Sequence, residues 1–166
     1  LLHRTDDAAA FRAHAAISRD FAVFFSPEKE IASGRIVDEF ALWLVYSVRG
    51  NDTAAFHLLV VFAHAAASFS LALAARRLGT GMTVSLIGGL LFLVNIAHVE
   101  TVQWISALEY PLAVLNASWT LYFYAGYADT HRRPWLLAFY GGMFVCVLTH
   151  IVAVLVWPLC MAWGWS

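Results

Sequence analysis

Residues 53–75 read TAAFHLLVVFAHAAASFSLALAA, a run without a charged side chain that ends at Arg76 and Arg77. A helix needs about 20 mostly apolar residues to cross the hydrocarbon core of a bilayer, and this run is long enough. A spanning segment must satisfy its own backbone hydrogen bonds, and the run lacks the alternation of a barrel strand. It therefore predicts a transmembrane helix and, with it, an all-α fold.

The composition of the whole chain indicates the same class. Of its 166 residues, 61% are hydrophobic and 13% are charged, whereas a soluble domain is about half apolar and about a quarter charged. The formal net charge of −1 gives no basic field for nucleic acid. Cys146 and Cys160 stand apart inside apolar runs, so we interpret them as packing residues rather than metal ligands. These observations predict an integral membrane protein without a nucleic-acid partner.

Three further apolar runs follow the first. The run from residue 134 to residue 165 is too long for one span of about 20 residues, so we divide it near Thr149 and His150. We predict a polytopic transmembrane helical bundle over residues 53–165, with spans at about 53–76, 81–97, 110–127, 134–149 and 151–165.

Residues 1–52 have a mixed composition. The stretch 11–25, FRAHAAISRDFAVFF, predicts an Ala-rich amphipathic helix. The stretch 35–50, RIVDEFALWLVYSVRG, carries a broad apolar face at helical spacing, formed by Ile36, Val37, Phe40 and Leu44. Such a helix lies along a membrane interface rather than across it, so we predict an extracytoplasmic first loop with amphipathic helices on the outer face. Because the chain lacks an initiator Met and stops in hydrophobic sequence, we expect a fragment of a longer protein.

The short loops predict the orientation of the chain. Arg76–Arg77 and His131–Arg133 mark the cytoplasmic side by the positive-inside rule. The loop 98–109 has no Lys or Arg and therefore lies outside, together with residues 1–52 and His150. Four acidic side chains thus face one compartment: Asp6, Asp7, Glu100 and Glu109.

Several polar residues allow two interpretations. His57 and His64 share one face of the first span, where they are either hydrogen-bonded packing residues or ligands, and His57 could face His98 across a haem. Asp6 and Asp7 could form a solvated turn or helix cap, hold a divalent cation, or supply a general base. The pair His98 and Glu100 is too small a set to predict a metal site.

Residues 91–106, LFLVNIAHVETVQWIS, bring a His, a Glu and a Trp together at the mouth of the second span. They resemble the signature lFalhPlhvEaVaWis of the GT-C superfamily of integral membrane glycosyltransferases, in its protein O-mannosyltransferase-like branch, which includes enzymes with TPR repeats and bacterial relatives. The positions that match are Phe92, His98, Val99, Glu100, Val102, Trp104, Ile105 and Ser106. Upstream, Gly50, His57 and His64 match that family in type and spacing, whereas Thr149–His150 stand where it has Lys-Glu.

The resemblance implies a glycosyltransferase that moves a sugar from a polyprenyl-phosphate donor to a protein or glycan acceptor on the extracytoplasmic side of a bacterial plasma (inner) membrane. It implies a catalytic carboxylate at Asp6 or Asp7 and a phosphate contact at Arg35, whose guanidinium offers a bidentate fork. The side chains that it implies for the substrate cavity are His57, His64, His98, Glu100, Trp104 and His150. Two alternatives stay open, namely a non-catalytic membrane scaffold or sensor with the same fold and a haem-binding membrane protein.

Overall fold

The computed structural model describes residues 35–150 and 155–164, and this part of the chain is built from α-helices joined by short turns. The all-α class predicted from the sequence is thereby confirmed for the described residues. The predicted helix 11–25 and the acids Asp6 and Asp7 lie outside them. The helices are α1 Ile36–Arg49, α2 Thr53–Arg77, α3 Met82–Val94, α4 Val99–Gln103, α5 Glu109–Thr130, α6 Arg133–Thr149 and α7 Val156–Gly164. Two 3₁₀ turns, Ile96–His98 and Ile105–Ala107, flank α4.

The helix α2 occupies the first predicted span and has clear ends. Its N-cap Asp52 accepts a hydrogen bond from the backbone N–H of Ala54 at 3.1 Å, as Asp does at many helix starts. After Leu78 the chain turns at Gly79, whose φ of 97° lies in the region that favours glycine. Among the described helices, α2 alone is long and apolar enough to cross a bilayer by itself.

The other predicted spans have the length and hydropathy of a bilayer-crossing helix only in part. The helix α3 and the segment Ile96–Gln103 qualify together as one span that is bent by 45°. The helix α6 is apolar but, with 17 residues, is short for a span. The helix α5 has 22 residues but is not apolar enough. α5 falls short because it carries Asn, Ser, Thr and Tyr side chains along its length. Within the described residues, length and hydropathy therefore give one helix that could cross a bilayer, or two if the bent pair forms one span.

The helices α3, α2, α5 and α6 form a row in that order, because each packs mainly on its neighbour in the series. The helix α1 contacts α2, α5 and α6, and α7 contacts α5. Contacts at both ends of α2 show that it runs parallel to α5: Phe56 packs in one cluster with Leu108, and Arg77 pairs with Asp129. The starts of α2 and α5 and the end of α6 therefore lie at one end of the bundle, while α3 ends beside His64, near the middle of α2.

The two ends differ in charge. We call the first the acidic end, because the charged side chains described there are two arginines and four acids: Arg35, Arg49, Asp38, Glu39, Asp52 and Glu109. We call the opposite end the basic end, because the charged side chains described there are four arginines and one acid: Arg76, Arg77, Arg132, Arg133 and Asp129.

Small and hydroxyl-bearing residues make the contacts between the long helices. Ser68 of α2 donates a hydrogen bond of 2.7 Å to the carbonyl oxygen of Gly89 in α3. Between α5 and α6, the amide of Asn116 donates to the hydroxyl of Thr149 at 2.8 Å. Such contacts allow close backbone approach and are typical of helix pairs inside a membrane.

The distribution of side chains is reversed relative to a soluble domain. The buried polar set includes Ser68, Ser70, Ser85, Ser118, Thr120 and Thr149. The exposed set includes large apolar residues from several helices, among them Leu58, Phe62, Phe69, Leu90, Leu91, Leu137 and Phe144. A soluble monomer rarely exposes a contiguous apolar patch of more than a few hundred Å². The exterior of this bundle is thus suited to an apolar surrounding.

The helix α1 buries Asp38 and Leu42 against the bundle. Phe40 and Leu44, which belong to the predicted apolar face, are 45% and 51% exposed, so that the membrane contact predicted for this face stays a prediction. Arg35, just before α1, forms an ion pair with Glu109 of α5.

Replacing Gly142 by Ala tests the close packing of α5 on α6. A Cβ at this position would meet the Thr120 Oγ1 at 2.5 Å and the Thr120 Cα at 3.4 Å. The hydroxyl cannot easily move, because it donates to the carbonyl oxygen of Asn116 at 2.8 Å. We expect Gly142→Ala to lower the free energy of unfolding by about 1–3 kcal/mol, measured by thermal unfolding of the full chain in detergent.

Gly141→Ala is the matched control, because nothing lies within 4 Å of a Cβ built at Gly141. We expect this variant to be as stable as the wild type or more stable, since Ala favours a helix by about 1 kcal/mol over Gly. Equal destabilisation by the two variants would contradict the proposed contact between α5 and α6.

Candidate functional site

An ion pair between Arg35 and Glu109 joins α1 to α5 at the acidic end. The side chain of Glu109 is 3% exposed and that of Arg35 is 41% exposed. A guanidinium has five N–H donors, so an arginine that is partly open can hold a buried carboxylate and still offer donors to a second anion. Arg35 therefore keeps the capacity to bind a phosphate that the sequence predicts for it.

A second carboxyl group, Asp38, is buried one helical turn after Arg35. Its residue is 5% exposed, and its Oδ1 has no hydrogen-bond partner among the described residues. Burial, together with the negative charges of Glu109 and Glu39, raises the pKa of Asp38 from 3.8 to about 7, and Arg35 opposes this shift. Asp38 is thus a buried acid that changes charge near neutral pH.

His150 completes this group from the end of α6. Its ring centroid lies 5.6 Å from that of Tyr110, the residue that follows Glu109. His150 is also close enough to interact electrostatically with Glu109. We call Arg35, Asp38, Glu109 and His150 the Arg35 cluster. It contains a phosphate-binding type of cation, two carboxyls and an imidazole, which are the groups required for proton transfer beside an anionic substrate.

His64 and His98 form a second group between α2 and α3. The Nε2 of His64 lies 3.2 Å from the carbonyl oxygen of Leu93, and the Nδ1 of His98 lies 3.0 Å from that of Phe92. The two imidazole rings are 5.2 Å apart, and Phe92 packs on both of them. Because a carbonyl oxygen accepts, His64 donates from Nε2 and His98 from Nδ1. The His64 bond joins α2 to the end of α3, and the His98 bond joins the following 3₁₀ turn to α3.

The remaining predicted site residues are placed as follows. His57 lies on α2 and Trp104 between α4 and the second 3₁₀ turn, and both are half-buried. Glu100 belongs to α4, and its side chain lies outside the description, as do Asp6 and Asp7. The structure thus brings Arg35 near His150 at the acidic end, and His64 near His98 beside the middle of α2, as two groups on different helix pairs.

We compared the chain with protein families, curated proteins and solved structures. None of the three comparisons gives a match.

The metal hypothesis has no support from the described residues. Within 35–150 and 155–164, no three His, Cys, Asp or Glu side chains converge as metal ligands. The divalent cation that Asp6 and Asp7 could hold stays a prediction, because both acids lie outside the described residues.

Asp38 is the member of the Arg35 cluster to which the sequence predicts no role, and Glu109 is expected only to face the outer compartment. The signal for Glu109 is its position in a polar loop without Lys or Arg. The signal for Asp38 is weaker, namely an acid four residues before Leu42 on the face of α1 that the structure buries. A buried acid usually has a positive charge nearby, and Arg35 provides that charge near Asp38.

The pH dependence of stability tests the burial of Asp38. A pKa of about 7 in the folded state, raised from 3.8, means that the folded protein binds more protons than the unfolded chain between these values. Stability is therefore full below about pH 4 as far as Asp38 is concerned, and it falls as the pH rises through about 7. We expect a loss of up to about 4 kcal/mol over this window, seen as a falling melting temperature in detergent.

Asp38→Asn should remove most of that loss, because the amide does not ionise. Asp52→Asn is the control, since Asp52 is exposed and Asn is an equally good helix N-cap. If the pH profile of Asp38→Asn has the same slope as that of the wild type, Asp38 does not titrate as the structure indicates.

A charge-rescue experiment tests the ion pair. Arg35→Gln leaves Glu109 as a buried carboxylate without its cation, and we expect destabilisation on the order of 2 kcal/mol. Glu109→Gln, added to Arg35→Gln, removes the buried charge and should restore most of the melting temperature. Additive effects of the two substitutions would show that Arg35 and Glu109 do not interact.

Proposed function

We propose that the chain belongs to an integral membrane glycosyltransferase that moves a sugar from a polyprenyl-phosphate donor to a protein or glycan acceptor on the outer side. The observation that carries this proposal is the Arg35 cluster, where a partly open arginine is held by a buried carboxylate beside a second acid and an imidazole. The cluster lies at one end of a bundle whose exterior is apolar, and a lipid-linked phosphate would reach such an end.

The membrane part of the proposal is a polytopic bundle formed by α2, α3, α5 and α6. Its support is the distribution of side chains, because Ser, Thr and small residues are buried between helices while many large apolar side chains face outwards. In lipid, helices associate through such small and hydroxyl-bearing contacts rather than through the hydrophobic effect. The charge asymmetry supports the orientation, since the basic end corresponds to the cytoplasmic side under the positive-inside rule.

The chemistry assigned to this end is a single displacement. An acceptor hydroxyl oxygen attacks the anomeric carbon of the sugar, the bond from that carbon to the phosphate oxygen breaks, and polyprenyl phosphate leaves. The hydroxyl proton passes to a carboxylate, for which we propose Asp6 or Asp7. Arg35 binds the leaving phosphate, whose charge grows as the bond breaks.

The other predicted residues have supporting roles under this proposal. His98 and Glu100 line the cavity on the α3 side, and His150 lines it on the α6 side. His57 and His64 extend the polar face of α2 below them, and Trp104 anchors the loop at the level of the headgroups. A protonated imidazole at His98 or His150 would add a donor to the phosphate.

A specific observation favours the second candidate, a non-catalytic scaffold or sensor with the same fold. Thr149 stands where the family that the sequence resembles has a lysine, and it is fully buried. Its hydroxyl donates to the carbonyl oxygen of Val145 and accepts from Asn116, both at 2.8 Å. This position therefore serves helix packing and offers no charge to a donor phosphate.

Sugar transfer in membranes that contain the full-length protein distinguishes the two candidates. We expect Asp6→Asn or Asp7→Asn to lower transfer from a polyprenyl-phosphate sugar by about 100-fold or more, because the proton acceptor is lost. Arg35→Lys keeps the charge but loses the bidentate fork, so transfer should fall while the melting temperature changes little. Asp52→Asn, at the same end, serves as the control and should transfer normally.

Two results would count against the enzyme. Unchanged transfer in both aspartate variants would show that neither is the base. No transfer by the wild type from any polyprenyl-phosphate sugar supplied would favour the scaffold.

A further inference from the structure

Four arginines gather at the basic end of the bundle, and we call them the arginine collar: Arg76, Arg77, Arg132 and Arg133. Arg76 and Arg77 close α2, while Arg132 and Arg133 lie between α5 and α6. The proposed transfer reaction takes place at the opposite end and makes no use of them.

Arg77 holds the collar to the bundle. Its Nε lies 3.3 Å from the Oδ2 of Asp129, and its guanidinium carbon lies 5.3 Å from the ring centroid of Tyr122 and 5.1 Å from that of Trp135. This contact joins α2, α5 and α6 through one cation. It also places Asp129 against Arg77, and no other acid of the described residues lies at this end to offset Arg76, Arg132 and Arg133.

A fixed turn presents Arg132 and Arg133. His131 has a φ of 51°, and its backbone N–H donates to the carbonyl oxygen of Tyr127 at 2.7 Å. The backbone N–H of Arg132 donates to the hydroxyl of Thr130 at 3.4 Å, and α6 starts at Arg133. Both arginine side chains are exposed, as is Arg76, whose Nη1 donates to the carbonyl oxygen of Thr80.

Aromatic side chains set the depth of the collar. Trp135 lies one residue beyond Pro134 in α6, and its ring contacts Tyr122 and Phe123 at centroid distances of 6.0 and 6.3 Å. Trp and Tyr are enriched at the level of lipid headgroups. With the bundle placed in a membrane as proposed, the arginine collar lies beside these aromatic rings, at the level of the phosphodiester headgroups.

We infer that the arginine collar binds the phosphodiester headgroups of anionic phospholipids in the leaflet at the basic end. Charge complementarity carries the inference, because four arginines and one aspartate meet a negatively charged leaflet surface, while the acidic end would repel it. Arginine suits the ligand, since its fork donates two hydrogen bonds to one phosphate. The inference rests on the membrane part of the proposed function and is independent of sugar transfer.

The test uses the full chain reconstituted in nanodiscs of phosphatidylcholine with and without phosphatidylglycerol. Lipid that remains bound after extraction is counted by mass spectrometry, and the melting temperature is measured in both compositions. We expect phosphatidylglycerol to be enriched over the bulk mixture and to raise the melting temperature. Arg132→Gln and Arg133→Gln should each lower the enrichment by about fivefold or less, and together by more.

Arg49→Gln is the control, because Arg49 is an exposed arginine at the acidic end. It should leave the enrichment as in the wild type. The inference is overturned by equal retention of the two lipids, by an equal loss in Arg49→Gln, or by failure of the chain to enter nanodiscs.

A further arm separates a lipid headgroup from a soluble phosphate. Glycerol phosphate, added to the protein in phosphatidylcholine nanodiscs, should leave the melting temperature unchanged. A rise equal to that given by phosphatidylglycerol would overturn the lipid assignment. Loss of sugar transfer with lipid enrichment intact would count against the proposed function alone.

Discussion

The rest of the structure depends on close contact between helices through small and hydroxyl-bearing residues. Gly89 meets α2 at Ser68 and Ala72, and Gly142 meets α5 at Thr120, so the helices approach without large side chains between them. Many leucines and phenylalanines are left on the outside, an arrangement that suits an apolar surrounding. The close contacts also fix the relative heights of the helices, and thereby bring residues distant in sequence to the same end of the bundle.

The heights of the helices separate the charges into two groups with different roles. At the acidic end, Arg35 meets carboxyl groups from α1 and α5 and is placed near the end of α6. At the basic end, Arg77 pairs with Asp129 and lies close to the rings of Tyr122 and Trp135. Burial makes the first group sensitive to protonation, whereas exposure makes the arginines of the second group available to an external anion.

Apolar runs in the sequence predict the positions of the helices well, because a run long enough for a span has few alternatives to a helix. The first predicted span, 53–76, corresponds to a helix Thr53–Arg77, and the division at Thr149 corresponds to the end of α6. The order of the helices could not be predicted, since α2, α5 and α6 carry no one-sided apolar stripe that would mark the buried face. The burial of Asp38 could not be predicted either, because it results from the tertiary pair of Arg35 and Glu109.

The Arg35 cluster also links substrate binding to protonation under the proposed function. One guanidinium faces two carboxyls, and the pKa of Asp38, raised to about 7 by burial and by Glu109, shows that both carboxyls are not easily ionised together. A phosphate bound to Arg35 would add a further negative charge to this group and would make Glu109 share its cation. Asp38 is the group whose charge can change in response, because its pKa is about 7 and its Oδ1 has no hydrogen-bond partner among the described residues. Donor binding would therefore favour protonated Asp38, and departure of polyprenyl phosphate would favour release of that proton.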